Sequence, residues 1–153
     1  MMPLPDSFNI TLAEFSEKIG QTLVLEDGRC SFVVDGAVEV ELDYIDIAHV
    51  VIAWATVGIA PEDEHQSGRA KALLALNEIG AENGGFSFAM DPESRRIVAH
   101  DNRPAELFED ADRLAAWIDA LVGLVIRVRE DFAERFPAND YVDAVYAGTE
   151  REE

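Results

Sequence analysis

The sequence predicts an α+β fold, in which an antiparallel twisted sheet carries three helices in the order α-β-β-β-α-β-β-α. Two observations lead to this prediction. The segment from Phe86 to His100, read FSFAMDPESRRIVAH, has the pattern of a β-hairpin. Helical patterns bracket that segment at roughly residues 68–82 and 105–133, and further strand patterns lie upstream of them.

The hairpin prediction depends on side-chain alternation and on turn chemistry. Phe86, Phe88 and Met90 alternate with smaller residues, as in a strand with one buried face. The segment from Asp91 to Ser94 favours a turn, because proline fixes φ at the first central position and aspartate can cap it. Ile97 to Ala99 then predicts the second strand.

The first helix is predicted to begin at Thr11 and to end at Gly20. Thr11 and Glu14 match a capping box, and glycine is typical just after a helix. The apolar face of this helix consists of Leu12, Phe15 and Ile19, which recur at helical spacing. Residues 1–10 include two prolines and are predicted to form an irregular lead-in.

Four strand candidates follow, at residues 21–25, 30–34, 38–44 and 49–57, and they predict a meander of three or four antiparallel strands. Asp35-Gly36 is a strong two-residue hairpin signal. Residues 38–44 alternate apolar and acidic types, which predicts a strand with one solvent-exposed face. Residues 49–57 are rich in β-branched and aromatic types and are predicted to be buried on most sides.

The two later helices complete a single predicted domain over residues 11–136. The second helix carries an apolar stripe formed by Leu73, Leu74, Leu76 and Ile79. The third is predicted over Glu109 to Phe132, where apolar residues recur at three- and four-residue steps. Pro137 ends the helical pattern, and residues 137–153 are interpreted as an acidic C-terminal tail.

The composition fits one folded domain and disfavours several classes of partner. The 153 residues include 31 acidic and 12 basic ones, giving a formal net charge of −19, and 48% of the residues are hydrophobic. Such acidity argues against nucleic acid and membrane surfaces as partners. It fits simple solubility, or the self-repulsion that an exposed apolar binding surface requires, and both interpretations stay open. Because no basic and apolar leader opens the chain, a cytoplasmic location is expected.

The sequence carries no motif for catalysis, so we expect neither enzymatic activity nor a cofactor. His49, His65 and His100 have no second histidine or cysteine at ligand spacing, and no metal site is expected. No nucleophile elbow or glycine-rich phosphate loop is present. Cys30 lies in an alternating apolar run and is interpreted as a small core residue.

The predicted order of helices and strands resembles that of a known family, the class I type III secretion chaperones of the CesT/Tir-chaperone family. The resemblance covers residues 11–133 and consists of pattern and order, together with small size and strong acidity. Its parts are the LAEFSEKIG helix running into QTLVLEDGRCSFVVDGAVEVEL, then the GGFSFAMDPESRRIVAH hairpin followed by a long helix with Leu114 and Trp117.

The resemblance implies an ATP-independent export chaperone that works as a cytoplasmic homodimer. Such chaperones bind the N-terminal segment of a secreted effector in extended form, add it as a strand to their sheet and keep it competent for secretion. Carried over to this chain, the partner-binding groove would consist of Leu12, Phe15, Ile19, Leu23, Leu25, Phe32 and Val34. The dimer interface would consist of Leu73, Leu76, Phe86 and Phe88. Judged from the residues alone, both sets also fit packing in the domain's own core.

Two alternatives stay open beside this interpretation. The first is a regulatory or adaptor protein of the same fold that works outside secretion. The second is a small enzyme whose site is built from scattered carboxylates, which a carboxylate of raised pKa in a deep polar pocket would favour. If the groove prediction holds, Phe15→Asp should abolish partner binding and leave the dimer intact.

Overall fold

The computed structural model describes residues 4–78 and 83–137, and in this part of the chain it has three α-helices and five strands in the predicted order. The helices are α1 (Leu4–Ile19), α2 (Gln66–Leu76) and α3 (Ala111–Arg135). The strands are β1 (Arg29–Val34), β2 (Val38–Ile45), β3 (Val50–Ile59), β4 (Ser87–Met90) and β5 (Arg96–Pro104). Single 3₁₀ turns occupy Asp46–Ala48 and Ala105–Phe108. The predicted α+β class and element order are confirmed.

The five strands form one sheet with the order β1-β2-β3-β5-β4, and every neighbouring pair is antiparallel. The first three strands make the predicted meander. The chain then leaves the sheet through α2 and returns with β4 at the far side, so that β5 lies between β3 and β4. Within the described residues, β1 and β4 are therefore the two edges of the sheet.

The sheet has one buried face and one open face. The alternation predicted for residues 38–44 is confirmed, since Val38, Val40 and Leu42 are fully buried while the acidic residues between them are not. Helix α3 packs on the buried inner face, and α1 packs beside it with Phe8 against Tyr44 and Phe15 against Phe32. On the open outer face, the register aligns Glu41 with Trp54 and Trp54 with His100.

The hairpin predicted at Asp35-Gly36 is confirmed. Both residues have positive φ, 55° and 65°, which is the backbone twist that a tight turn between two strands requires. The amide of Ala37 donates to the carbonyl of Val34 across this turn at 3.0 Å.

Helix α1 begins earlier than predicted, and residues 4–10 are helical and not an irregular lead-in. A proline in the first turn of a helix is tolerated, because the missing amide would have no partner within the helix. Phe8 supports the added turns, since its ring is buried and stacks on Tyr44 at 5.4 Å. Thr11 consequently lies inside the helix, where it is buried and donates to the carbonyl of Phe108 at 2.7 Å. The capping-box assignment of Thr11 was wrong.

Several other boundaries differ from the sequence-based expectation. Residues 21–25 form no strand; Glu26 alone makes a single bridge to Arg29. Strand β5 continues to Pro104 beyond the predicted end near residue 100. Helix α2 ends at Leu76, and the apolar stripe residue Ile79 lies outside the described residues, as do residues 138–153 of the predicted tail.

Helix α3 starts at Ala111, where a carboxylate caps it, and it is hydrogen-bonded to the sheet near its other end. The carboxylate of Asp110 caps the start of the helix by accepting from the amide of Asp112 at 2.8 Å. Near its other end, the Arg129 guanidinium donates to the carbonyls of Ala37, Thr56 and Val57 at 2.8–3.0 Å. These bonds hold the helix against the β1–β2 turn and the end of β3.

Candidate partner-binding edge of the sheet

The backbone of β1 alternates between groups that face β2 and groups that face outward. The amide of Tyr44 donates to the carbonyl of Gly28 at 2.6 Å, which places the even-numbered residues of this strand in the ladder with β2. The backbone groups of Arg29, Ser31 and Val33 therefore point away from the sheet. We call this outward row the β1 edge.

Only part of the β1 edge is paired. Arg29 exchanges two backbone hydrogen bonds with Glu26, at 2.8 and 3.0 Å. The carbonyl of Val33 accepts from the side chain of Gln21 at 2.9 Å. For the Ser31 N–H and C=O and the Val33 N–H, no partner exists among residues 4–78 and 83–137. These are three adjacent backbone groups that an added strand could pair with.

The segment of residues 21–26, which we call the linker, passes along the β1 edge without pairing along its length. Its ends reach β1 through Gln21 and Glu26, as described above. Its middle is held on α1, because the amide of Leu23 donates to Oγ of Ser16 at 3.2 Å and the Leu23 side chain is buried. Val24 next to it is 64% exposed. The linker is thus kept away from Ser31.

Two hollows border the linker, one between it and β1 and the other between it and α1. The larger, about 520 Å³, is lined by Thr22, Leu23, Val24, Glu26, Arg29, Cys30, Ser31 and Glu41, and we call it the edge hollow. A second hollow of about 390 Å³ continues toward α1 and shares Thr22 and Leu23 with the first. The edge hollow alone lies beside the unpaired stretch of β1.

The opposite edge of the sheet is closed at its centre. The side chain of Asn77, just after α2, hydrogen-bonds both backbone groups of Phe88 in β4. Phe86 is likewise bonded through its amide to the carbonyl of Asn83. Strand addition is therefore favoured at β1 over β4.

Two carboxylates lie close together on the outer face, one strand in from the β1 edge. The pKa of Glu41 is raised, first by a hydrogen bond that its protonated form makes to the side chain of Asp43, then by burial and by the Asp43 charge. The indole of Trp54 donates to Oδ2 of Asp43 at 3.1 Å, and Oδ1 is buried without a partner among the described residues. Burial, followed by the charges of these two carboxylates, raises the pKa of the Cys30 thiol to about 11.

The seven residues predicted to bind a partner all lie around the inner side of this edge, but they differ in exposure. Four are buried in the core: Leu12, Phe15, Leu23 and Phe32. Three are partly buried and pack against it: Ile19, Leu25 and Val34. Their role in binding stays a prediction. Sequence reasoning did not single out three other residues of this edge. Ser31 and Val33 have the backbone groups without a partner among the described residues, and Val24 and Val33 have exposed apolar side chains.

The four residues predicted at a dimer interface belong to the domain's own packing. Leu73, Phe86 and Phe88 are buried, and Leu76 packs on the core in a partly buried position. The neighbouring Leu74 is 71% exposed. A contact between α2 and a second copy of the chain would therefore involve Leu74, and the predicted residues would lie in the core under that surface.

Two further kinds of site, a metal-binding cluster and a membrane-spanning helix, are lacking in the part of the chain that the structure describes. Within residues 4–78 and 83–137, no three histidine, cysteine, aspartate or glutamate side chains converge on a point where a metal could bind. None of the described helices has the length and apolar character needed to cross a membrane.

Known proteins share both the sequence pattern and the fold. A family model described as the Tir chaperone protein (CesT) family matches residues 11–129. A search of curated proteins found no match.

Among solved structures, a chain of the HopA1–SchA chaperone–effector complex has a TM-score of 0.67 at 20% identity, covering 85% of this chain and 99% of that one. A chain of the ExoU–SpcU complex from the type III secretion system of Pseudomonas aeruginosa has a TM-score of 0.56 at 19% identity, covering 76% and 93%. YbjN, a proposed transcription regulator from E. coli, has a TM-score of 0.57 at 13% identity, covering 82% and 90%. At these identities the likeness establishes the fold alone.

Proposed function

Because the chain belongs to the Tir chaperone protein (CesT) family, we propose that it is an export chaperone for a secreted effector in the cytoplasm. The N-terminal segment of the effector binds in extended form, without ATP, and is held unfolded until export. The observation that carries this proposal is that, among the described residues, the Ser31 N–H and C=O and the Val33 N–H have no partner beside the edge hollow. An extended chain placed there would complete the ladder that β1 lacks on this side.

The surroundings of the β1 edge fit an extended peptide. Main-chain hydrogen bonds provide affinity with little demand on sequence, and alternate side chains of an added strand point to opposite faces. On either side of the gap, the apolar side chains of Val24 and Val33 are exposed, 64% and 45% respectively. A bound segment with alternating apolar residues would cover them.

A proline substitution tests the strand-addition step directly. Ser31→Pro removes an amide that faces outward, so the ladder with β2 is kept and the fold is expected to survive. Ser31→Ala is the matched control, because it loses the hydroxyl and keeps the amide. Tagged wild type and both variants are purified from the source cells, and the partner's protected segment is mapped by limited proteolysis. We expect one dominant partner, protected near its N-terminus, with wild type and Ser31→Ala, and its loss with Ser31→Pro.

A regulatory role outside secretion is the second candidate function. The similarity in fold to YbjN, a proposed transcription regulator, is the observation that supports this second candidate. The same purification separates the two. A whole folded regulator, retained equally by Ser31→Pro, would contradict the chaperone proposal and favour a regulatory adaptor.

We also propose that the chaperone is a homodimer, since two linked grooves would raise the avidity for one extended segment. The exposed Leu74 on α2 supports a contact there, over the predicted residues Leu73 and Leu76. Sedimentation velocity on the wild type should show a dimer that Leu74→Lys dissociates. Ile47→Lys is the control, because Ile47 is 95% exposed in a 3₁₀ turn away from α2. A wild-type monomer, or a dimer unaffected by Leu74→Lys, would contradict this contact.

A further inference from the structure

The acidic pair of Glu41 and Asp43 has no ion-pair partner among the described residues. Arg29 and Arg96 are near enough to lower the pKa of Glu41, but the effects that raise it are larger. Neither arginine forms an ion pair with either carboxylate in residues 4–78 and 83–137; Arg96 instead donates to Oγ1 of Thr56. While Glu41 is ionised, the buried Oδ1 of Asp43 has no donor there either. Burying an unsatisfied carboxylate oxygen costs stability, so a donor that reaches this pair would be bound favourably.

The β1 edge gives a partner access to the pair. Ser31 lies opposite Glu41, and Glu41 lies opposite Trp54, so the three side chains share the outer face. Ser31 is exposed and small, and it stands between the edge and Glu41. Glu41 also lines the edge hollow, which opens at the same point.

The distance across Ser31 suits a long side chain. A residue on an added strand opposite Ser31 would be two strand spacings, about 10 Å, from Glu41 at the backbone. Lysine and arginine extend far enough to cover the serine and meet the glutamate halfway, with their stems on apolar surface. At the next outward position along β1, Val33 is larger and half-exposed and stands before Glu39. The serine position is therefore the more open path.

The overall charge selects the same kind of occupant. With a net charge of −19, the chain attracts cationic segments more strongly than acidic ones. We propose that the effector segment which adds to the β1 edge is basic and carries a lysine or arginine opposite Ser31, bound by Glu41 and Asp43. This proposal rests on the proposed function, and it names the chemistry of the segment that the groove accepts.

Peptide selection tests the charge preference without knowledge of the natural partner. A display library of random twelve-residue peptides is selected on the wild type, and peptides that also bind Ser31→Pro are removed. We expect the remaining peptides to share alternating apolar residues and one fixed lysine or arginine. In such a peptide, changing that lysine to methionine should weaken binding to the wild type by roughly fivefold. The loss should be less than twofold on Glu41→Gln.

The control variant is Glu130→Gln, which changes the net charge equally on an exposed position of α3. It should keep the lysine preference of the wild type. The inference would be overturned if the edge-binding peptides shared no fixed lysine or arginine, or if the preference for lysine over methionine persisted on Glu41→Gln. Strand addition would not be contradicted by either result. If no selected peptide depends on the Ser31 amide, strand addition itself fails, and the inference fails with it. A wild-type dimer that dissociates in Ser31→Pro would show a second copy on the edge and would also overturn it.

Discussion

Asn77 binds the backbone of Phe88 in the manner of a neighbouring strand. Its Oδ1 accepts from the Phe88 N–H at 2.6 Å, and its Nδ2 donates to the Phe88 C=O at 2.9 Å. A single side chain therefore satisfies both outward groups of β4 at its buried residue, where Phe88 is 5% exposed. Among residues 4–78 and 83–137, this closure leaves β1 as the edge that is open at its centre, which favours strand addition there.

Replacing Asn77 should cost stability, because it leaves two backbone groups of Phe88 without their partner. For Asn77→Ala we expect the free energy of unfolding to fall by about 1–2 kcal/mol. Urea unfolding followed by circular dichroism measures this change. Asn102→Ala is the control, since Asn102 is exposed and should change stability by less than about 0.5 kcal/mol. Equal effects of the two substitutions would contradict the closure by Asn77.

Phe15 is buried in the core, so a substitution there should lower the stability of the domain in addition to any effect on partner binding. Its ring is 2% exposed and meets Phe32 edge to face, with the centroids 5.6 Å apart. Phe15→Ala should lower the free energy of unfolding by about 3–5 kcal/mol, and Phe15→Asp by more. Thermal unfolding of the purified variants measures this. A Phe15→Asp protein as stable as the wild type would show that the ring is not part of the core.

Val24 offers a cleaner test of the groove. It lies in the linker, lines the edge hollow and is 64% exposed, so Val24→Asp should leave stability within about 0.5 kcal/mol of the wild type. Binding of an edge-selected peptide should weaken, because an added strand would cover this side chain. Fluorescence anisotropy with a labelled peptide measures the affinity. Unchanged affinity would place the bound segment away from the linker.

Much of the fold was predictable because local signals and tertiary packing agree. The alternation of residues 38–44 reports one buried face directly, and Asp35-Gly36 supplies the positive φ values that its turn requires. The prediction failed where a local signal competes with packing. Thr11 has the chemistry of a cap, but the burial of Phe8 extends α1 past it toward the N-terminus.

The candidate site was less predictable, because an open edge depends on strand order. Side-chain periodicity indicates which face of a strand is buried, but it does not tell which backbone groups lack a neighbouring strand. Residues 21–25 carry a strand pattern, but the hydrogen bonds from Gln21 and Leu23 to Ser16 show that they are held on α1. The hydrogen bonds between Asn77 and Phe88 likewise join the end of α2 to β4, and no sequence motif predicts such a contact.

Cys30 should be unreactive in the folded protein. Burial raises the pKa of its thiol to about 11, and the nearby charges of Asp43 and Glu41 act in the same direction. Since the thiolate is the reactive form, a disulfide reagent such as DTNB should react very slowly at pH 8. Reaction in denaturing urea, where one thiol per chain should titrate at once, is the control. Rapid reaction of the native protein would contradict the packing around β1.

The ion pair of Asp63 with Arg69 should make stability depend on acid pH. Arg69 is 1% exposed, and its two terminal nitrogens contact the two carboxylate oxygens at 2.7 and 2.9 Å. The hydrogen bond to Arg69 is the main reason why the pKa of Asp63 falls from 3.8 to about 2. Because the pKa of Asp63 is lower in the folded than in the unfolded state, its ionised form stabilises the fold at pH values above the ordinary pKa. That stabilisation disappears as the pH falls toward 2.

Asp63→Asn should therefore be less stable than the wild type at neutral pH, with a difference that shrinks as the pH falls from 4 toward 2. Urea midpoints across this range, measured for both proteins, give the difference directly. Asp131→Asn is the control, because Asp131 forms an exposed ion pair with Arg135 at 2.8 Å and such pairs contribute little. A difference that stays constant with pH would show that the carboxylate charge of Asp63 does not stabilise the buried Arg69.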